Sequence, residues 1–214
     1  MDREVLKQVI ADQREYSLPK TVFDRSQFHV IRKFIDDPSI LIITGIRRSG
    51  KSTIQRMLQQ ELEESDYFFN FDDARLIHFK VEDFQLLLEV FVVLFGKQST
   101  FYFDEIQNIE GWERFICRLY EAGNKIFITG SNAKLLSAEL GTHLTGRYIQ
   151  LEVYPLSFKE IVQHEAPHLI TNKALSTENV GTALSHFAKY LQFGGIPEYV
   201  KFQKPEYLKD LCQR

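Results

Sequence analysis

The chain has few of the residues that staple a small fold or attach it to a membrane or a nucleic acid. Its two cysteines, Cys117 and Cys212, stand far apart with no CxxC or metal-type spacing. No disulfide framework is indicated, and both read as free thiols of a reducing cytoplasm. Positive charge is not in excess: 26 Lys and Arg face 29 Asp and Glu, a net charge of −3. That argues against a surface built to neutralise many phosphates of a nucleic acid, although it says nothing of a segment attached to this stretch. The richest apolar run, Val90 to Phe95 after Leu86 to Leu88, is interrupted by Glu89 and ends at Gly96, too short to span a bilayer. The opening Met1-Asp2-Arg3-Glu4 is charged, with no apolar segment behind it, which is not the pattern of a signal peptide. The expectation is a soluble, cytoplasmic protein with no membrane partner. Apolar and aromatic residues are plentiful. Of 214 residues 44% are hydrophobic, with 18 Phe and 9 Tyr, enough for a large core in one main domain plus part of another.

One stretch organises the rest. Gly45-Ile46-Arg47-Arg48-Ser49-Gly50-Lys51-Ser52-Thr53 follows the apolar run Ile40 to Ile43 and precedes Ile54-Gln55-Arg56-Met57-Leu58, which has helical spacing. A strand, a glycine-bounded loop and a helix in this order form a phosphate loop. Its backbone N–H groups turn inward at phosphate oxygens, and the helix brings its positive end to the anion. Lys51 is expected at the β- and γ-phosphates and the Ser52 hydroxyl on Mg²⁺.

Before the loop, Val5, Leu6, Val9 and Ile10 mark an amphipathic helix over residues 2–15, ended by Ser17-Leu18-Pro19. Residues 1–37 thus form a helix and a lead-in, which either lies beside a nucleotide base or is a packed appendage. After the loop, a helix is expected to about Ser65, then a strand Tyr67 to Phe71 whose trailing Asp72-Asp73 either faces a ligand or caps the next turn. Phe84, Leu87, Leu88, Phe91, Leu94 and Phe95 form a helical core stripe.

Thr100 to Phe103 then reads as an apolar strand running into Asp104-Glu105. Behind a phosphate loop, an Asp at the end of a neighbouring buried strand is the metal-side carboxylate, so Asp104 joins Ser52 as a Mg²⁺ residue. Glu105 is the expected base that orients the attacking water. Trp112, Phe115, Ile116, Leu119 and Tyr120 predict another amphipathic helix, and Lys125 to Thr129 a fourth strand ending in Gly130-Ser131-Asn132. Ser131 and Asn132 either contact the γ-phosphate or the water, or cap a helix over Ala133 to Leu140. A fifth strand is expected over Leu144 to Leu151 with Arg147 near its start. Strands alternating with helices predict a three-layer α/β/α fold with a parallel sheet over residues 38–153, with every site candidate except Arg147 at the carboxyl ends of strands. From residue 154 the texture turns helical, and residues 154–214 read as a small helical domain that is incomplete. Within it, His164-Glu165-Ala166-Pro167-His168 matches a zinc-protease spacing, but Pro167 costs about 3 kcal/mol in a helix interior, and zinc is not expected.

Together, Gly45 to Thr53, Phe101-Tyr102-Phe103-Asp104-Glu105-Ile106-Gln107, Ile128-Thr129-Gly130-Ser131-Asn132, Leu144-Thr145-Gly146-Arg147, Tyr154 to Glu160 and Phe193-Gly194-Gly195-Ile196-Pro197-Glu198 resemble a widespread, poorly characterised family of prokaryotic AAA-superfamily P-loop ATPases. The resemblance covers nearly the whole chain. It implies a sheet order 5-1-4-3-2, Mg-ATP as ligand with ADP as product, and hydrolysis rather than phosphate transfer to a small molecule. It makes Lys51, Ser52 and Asp104 nucleotide and metal residues, Glu105 the catalytic base and Ser131 or Asn132 the sensor of the fourth strand. Arg147 takes the place of an arginine finger offered to a neighbouring subunit, with a structural salt bridge as the alternative. The family usually carries a further C-terminal domain, through which a protein or DNA partner would be reached, and it admits a homo-oligomer. Two functions stay open here: an ATPase working on a partner, and a nucleotide-dependent switch or recruitment module with little turnover. From Val153 onward the sequence holds no Arg before Arg214, so the usual lid-domain sensor arginine is not visible.

Overall fold

The computed structural model describes residues 1–16, 18, 22–131, 144–171 and 174–209. Five strands form one sheet: β1 (Ile40–Thr44), β2 (Phe68–Asn70), β3 (Thr100–Asp104), β4 (Lys125–Gly130) and β5 (Tyr148–Glu152). Their order is β2-β3-β4-β1-β5, as the family resemblance implied, and every pairing is parallel, as the alternation of strands and helices predicted. All five residues of β1 and of β3 are buried, which is why these strands read as continuous apolar runs rather than as alternating ones.

Alternation reappears in which side each residue packs on. Ile40, Ile42, Phe101, Phe103, Ile126 and Ile128 join one cluster with α1 (Arg3–Glu15), α4 (Phe84–Phe95) and α5 (Trp112–Glu121). Leu41, Ile43, Phe68, Tyr102 and Phe127 join the other with α2 (Ser26–Arg32) and α3 (Lys51–Glu61). Successive side chains of a strand point to opposite faces, so helices on both sides complete three layers. Aromatic pairs fill the first cluster: Phe84 stacks on Phe115 at 4.0 Å and Tyr67 on Phe91 at 4.8 Å between ring centroids.

Several boundaries differ from the sequence reading. Helix α2 was not anticipated, since only Phe28 and Ile31 of its seven residues are buried and its N-cap, Arg25, makes no side-chain capping bond. Helix α3 ends at Glu61 rather than near Ser65, and β5 begins at Tyr148 rather than Leu144. The helix expected over Ala133 to Leu140 lies outside the described residues, as does Asn132.

Beyond the sheet come α6 (Phe158–Glu165), α7 (Thr177–Phe193), α8 (Pro197–Phe202) and α9 (Glu206–Lys209). Ser157 and Glu160 close a reciprocal capping box on α6. Gly195 accepts a hydrogen bond from the Leu156 N–H at 2.7 Å, and a Cβ at that position would lie 1.9 Å from the Leu156 carbonyl oxygen. Only glycine permits this approach, which ties the start of α8 to the segment leaving β5. Among the described residues no helix is long and apolar enough to cross a membrane.

Candidate phosphate-binding site

The loop between β1 and α3 depends on two glycines. Gly45 has φ +146°, and a Cβ there would lie 2.2 Å from the Val153 carbonyl oxygen; Gly50 has φ +99° and is the N-cap of α3. Neither geometry suits an L side chain. Arg48 adopts φ +63° without being glycine, a strain of the kind that gathers at ligand-binding loops.

Lys51 opens α3, with a side chain only 4% exposed. Its Nζ donates to the Ile46 carbonyl at 3.1 Å and stands 3.8 Å from Glu105 Oε1. Burial lowers the Lys51 pKa, while Glu105 and Asp104 pull it back up. Asp104, at the end of β3 and 3% exposed, accepts a hydrogen bond from Ser52 Oγ at 3.1 Å and another from the Thr129 hydroxyl. Burial pushes its carboxyl up, and the two hydroxyl donors oppose that.

Glu105 follows in the left-handed region at φ +52°. Its backbone N–H donates to Thr129 Oγ1 at 3.3 Å. Its Oε2 accepts from the Ser131 N–H at 3.1 Å, the Ser131 hydroxyl at 2.8 Å and Gln107 Nε2 at 2.5 Å. The strained turn sends two adjacent acids to different partners: Asp104 meets the loop hydroxyl of Ser52, and Glu105 meets Gln107 and Ser131, just past β4, while staying near Lys51.

These groups border a cavity of about 370 Å³ whose walls include Arg47, Arg48, Gly50, Lys51, Ser52, Thr53, Asp104 and Glu105. Gly45, Ile46 and Ser49 complete the turn of the loop. Ser131 enters the site through its bonds to Glu105. Arg147 does not join them. It precedes β5 at the amino end of the sheet, where its guanidinium pairs with Glu121 at 2.9 Å, so within one chain the salt bridge is the arrangement present. His164 lies in the last turn of α6 against the Phe23 ring, and His168 falls in a separate turn after Pro167; the zinc pattern is broken where Pro167 predicts.

The sequence reading missed several contributors. Pro197, Glu198, Lys201 and Phe202 of α8 form a wall of the cavity. Arg48 pairs with Glu198 at 3.2 Å and Arg47 with Asp72 at 3.9 Å, so both loop arginines meet acids of their own chain. Asp73 caps the next turn, while Asp72 faces the cavity. The motif ending in Glu198 was the available signal for α8. Nothing in the pattern announced Arg25, whose buried guanidinium donates to the Ser49 carbonyl at 3.0 Å. A narrow cleft beside the loop is bounded by Val22, Phe23 and Arg25 of the lead-in together with Gly50, Thr53, Ile54, Pro197 and Lys201.

Comparison with known proteins places these features. The profile of the AAA domain family matches residues 37–162. An uncharacterised protein of Methanocaldococcus jannaschii is 32% identical over 215 residues, a match that takes in all of this chain and 47% of that protein. The chain therefore spans about half the length of that relative. Among solved structures, a Walker-type ATPase of Pyrococcus abyssi is similar in fold, with a TM-score of 0.55, 17% identity, and coverage of 94% of this chain and 72% of that one. AMPPCP-bound DnaA from Aquifex aeolicus gives a TM-score of 0.52 at 15% identity, over 93% and 65% of the respective chains.

Proposed function

Because the chain belongs to the AAA domain family, we propose that its phosphate loop binds Mg-ATP and hydrolyses it, coupling turnover to movement of an attached segment or partner. The observation that carries this reading is the division of labour at the end of β3. Asp104 takes the Ser52 hydroxyl, and Glu105 is held by Ser131 and Gln107 within 3.8 Å of Lys51.

The residues fit a magnesium ion. Asp104 and Ser52 offer hard oxygen donors 3.1 Å apart. Such a site suits Mg²⁺, which keeps water and phosphate oxygens as its other ligands. When bound, the ion supplies neutralisation of charge on the β- and γ-phosphate oxygens. The chain supplies the rest. Loop N–H groups and Lys51 fix the phosphates, Lys51 offsetting the charge of the leaving oxygen. Glu105 orients a water and accepts its proton as the water oxygen bonds to the γ-phosphorus. The bond from that phosphorus to the bridging oxygen breaks, its electron pair leaving with ADP. The lead-in at Val22 and Phe23, next to Thr53, lies on the side of the loop proposed for the base, in a cleft of about 30 Å³ that must widen to admit it.

Helices α6 to α9 belong to a small helical unit whose α8 forms one wall of the cavity. Arg147, at the far end of the sheet, reaches phosphate only as a finger offered to a neighbouring copy. Mixing Arg147→Ala with Glu105→Gln subunits then restores part of the activity, and a proven oligomer with no recovery removes that role. A protein or DNA partner is reached through the portion of the longer relatives that lies outside this stretch.

The test is calorimetric titration of Mg-ATP with phosphate release measured in parallel. Wild type binds and releases phosphate, while Lys51→Ala weakens binding itself. One observation favours the switch reading: a single Glu105 oxygen already accepts three hydrogen bonds, so the carboxylate is partly engaged within the chain. Tight ATP binding with no phosphate release selects the switch.

A further inference from the structure

Arg25 belongs to no motif, yet its charged side chain is buried beside the loop and holds two carbonyls there. Its side chain is 5% exposed, and its Nε stands 3.5 Å from Glu160 Oε1. Nη1 donates to the Ser49 carbonyl at 3.0 Å and Nη2 to the Tyr154 carbonyl at 2.5 Å. Glu160 is itself fixed. Its Oε1 accepts from the Ser26 N–H at 2.8 Å and hydroxyl at 2.9 Å, and its Oε2 from the Ser157 N–H at 2.7 Å and hydroxyl at 2.9 Å. A planar guanidinium facing a carboxylate held from four sides has little freedom to turn.

What it holds is the carbonyl of the peptide joining Ser49 to Gly50. That peptide is trans and planar, so its C=O and N–H point in opposite directions. Gly50 tolerates either sign of φ, which makes this the peptide of the loop that can turn over at least cost. Its Cα lies close to the guanidinium, since an added Cβ would come within 3.2 Å of Nη1. Arg25 borders the lead-in cleft and Gly50 borders both that cleft and the phosphate cavity.

We propose that Arg25 is a positioning residue for the phosphate loop: by holding the Ser49 carbonyl on the lead-in side, it locks the Gly50 N–H toward the cavity, where a phosphate oxygen receives it. The proposal rests on reading the loop as a phosphate site. The Glu160 network extends the same lock to α2 and to the cap of α6, so these elements share the anchor that sets the loop.

Ser49-Gly50 is the only Ser-Gly step in the sequence. Pairing ¹³C-carbonyl serine with ¹⁵N-glycine therefore isolates the Gly50 amide in the whole chain. The probes are Mg-ATP and Mg-tripolyphosphate, which carries no base. In wild type both move the Gly50 amide proton downfield. In Arg25→Met that movement is lost, and both probes bind about ten- to a hundredfold more weakly, the loss expected for one charge-assisted hydrogen bond. Arg25→Lys keeps the charge opposite Glu160 but cannot hold two carbonyls with one fork; it loses part of both effects and carries the test if Arg25→Met does not fold. A folded Arg25→Lys with wild-type affinity and an unchanged Gly50 shift overturns the proposal. So does weakening confined to ATP, which would place Arg25 in the service of the base cleft alone. A wild-type amide that ignores both probes overturns phosphate binding at the loop, and the proposal with it.

Discussion

Strand β1 buries all five of its residues, whereas α7, seventeen residues long, buries none. The contrast extends to the regions they represent. The sheet and its flanking helices enclose two clusters built around Phe, Ile and Leu from β1 to β4, with half-buried Ile149 and Leu151 of β5 packed against one of them. The helices after Val153 rest on much smaller clusters, one formed by Phe23, Leu156 and Ile161 with Tyr190 and Val200, another by Val162, Ala166 and Leu169. Burial of apolar area sets which parts of a fold open last. The site is therefore a rigid floor, made by the carboxyl ends of β1, β3 and β4, under a wall supplied by the lightly packed α8.

The comparison breaks most readily in the core. Trp112 is fully buried in the cluster on the α4 and α5 face, and Trp112→Ala should cost about 3–5 kcal/mol, measured as a lower urea midpoint. A loss below about 1 kcal/mol would mean that the face is not the cooperative centre assumed here.

A smaller effect tests how the loop after β2 is tied to α1. Arg75 bridges Asp73 at 2.7 Å and Asp12 at 2.5 Å, and it holds the Asp73 carboxyl down at about 2 from the usual 3.8. A carboxyl depressed in the folded state stabilises it above the unfolded pKa and loses that contribution as pH falls through the folded one. Stability should thus decline between about pH 4 and pH 2, and Arg75→Gln should flatten that decline in melting curves. An identical profile in the variant removes the bridge from the account.

The smallest effect is expected on α7. Leu184 and Leu191 are 62% and 70% exposed, so Leu184→Ser with Leu191→Ser should change unfolding free energy by no more than about 0.5 kcal/mol each. A larger loss would show that this face is covered in solution.

The sequence conveyed most of the core because continuous apolar runs have few alternative readings, but Leu94, expected in the core stripe of α4, is 41% exposed. The strand order came from the family resemblance, and the parallel pairing came from alternation of strands and helices. Gly45 to Thr53, Asp104 and Glu105 were legible because phosphate chemistry fixes both residue type and spacing. What escaped was held by tertiary contact rather than by pattern. Arg25 acts from a segment with two apolar anchors and no cap, and Glu160 stood in the sequence only as part of the start of a helix, whereas in the structure it caps α6 and grips Ser26. Arg147 was legible as a position and ambiguous as a role, and one chain shows it paired with Glu121.

The most direct test of the central claim is single-turnover phosphate release from saturating Mg-ATP by wild type and Glu105→Gln, with binding measured on the same samples. A general base contributes about 10²–10⁴ in rate, so the variant should bind Mg-ATP as wild type does and release phosphate at least a hundredfold more slowly. Equal rates in the two proteins would contradict the assignment of Glu105 and, with it, the division of roles between the two acids at the end of β3.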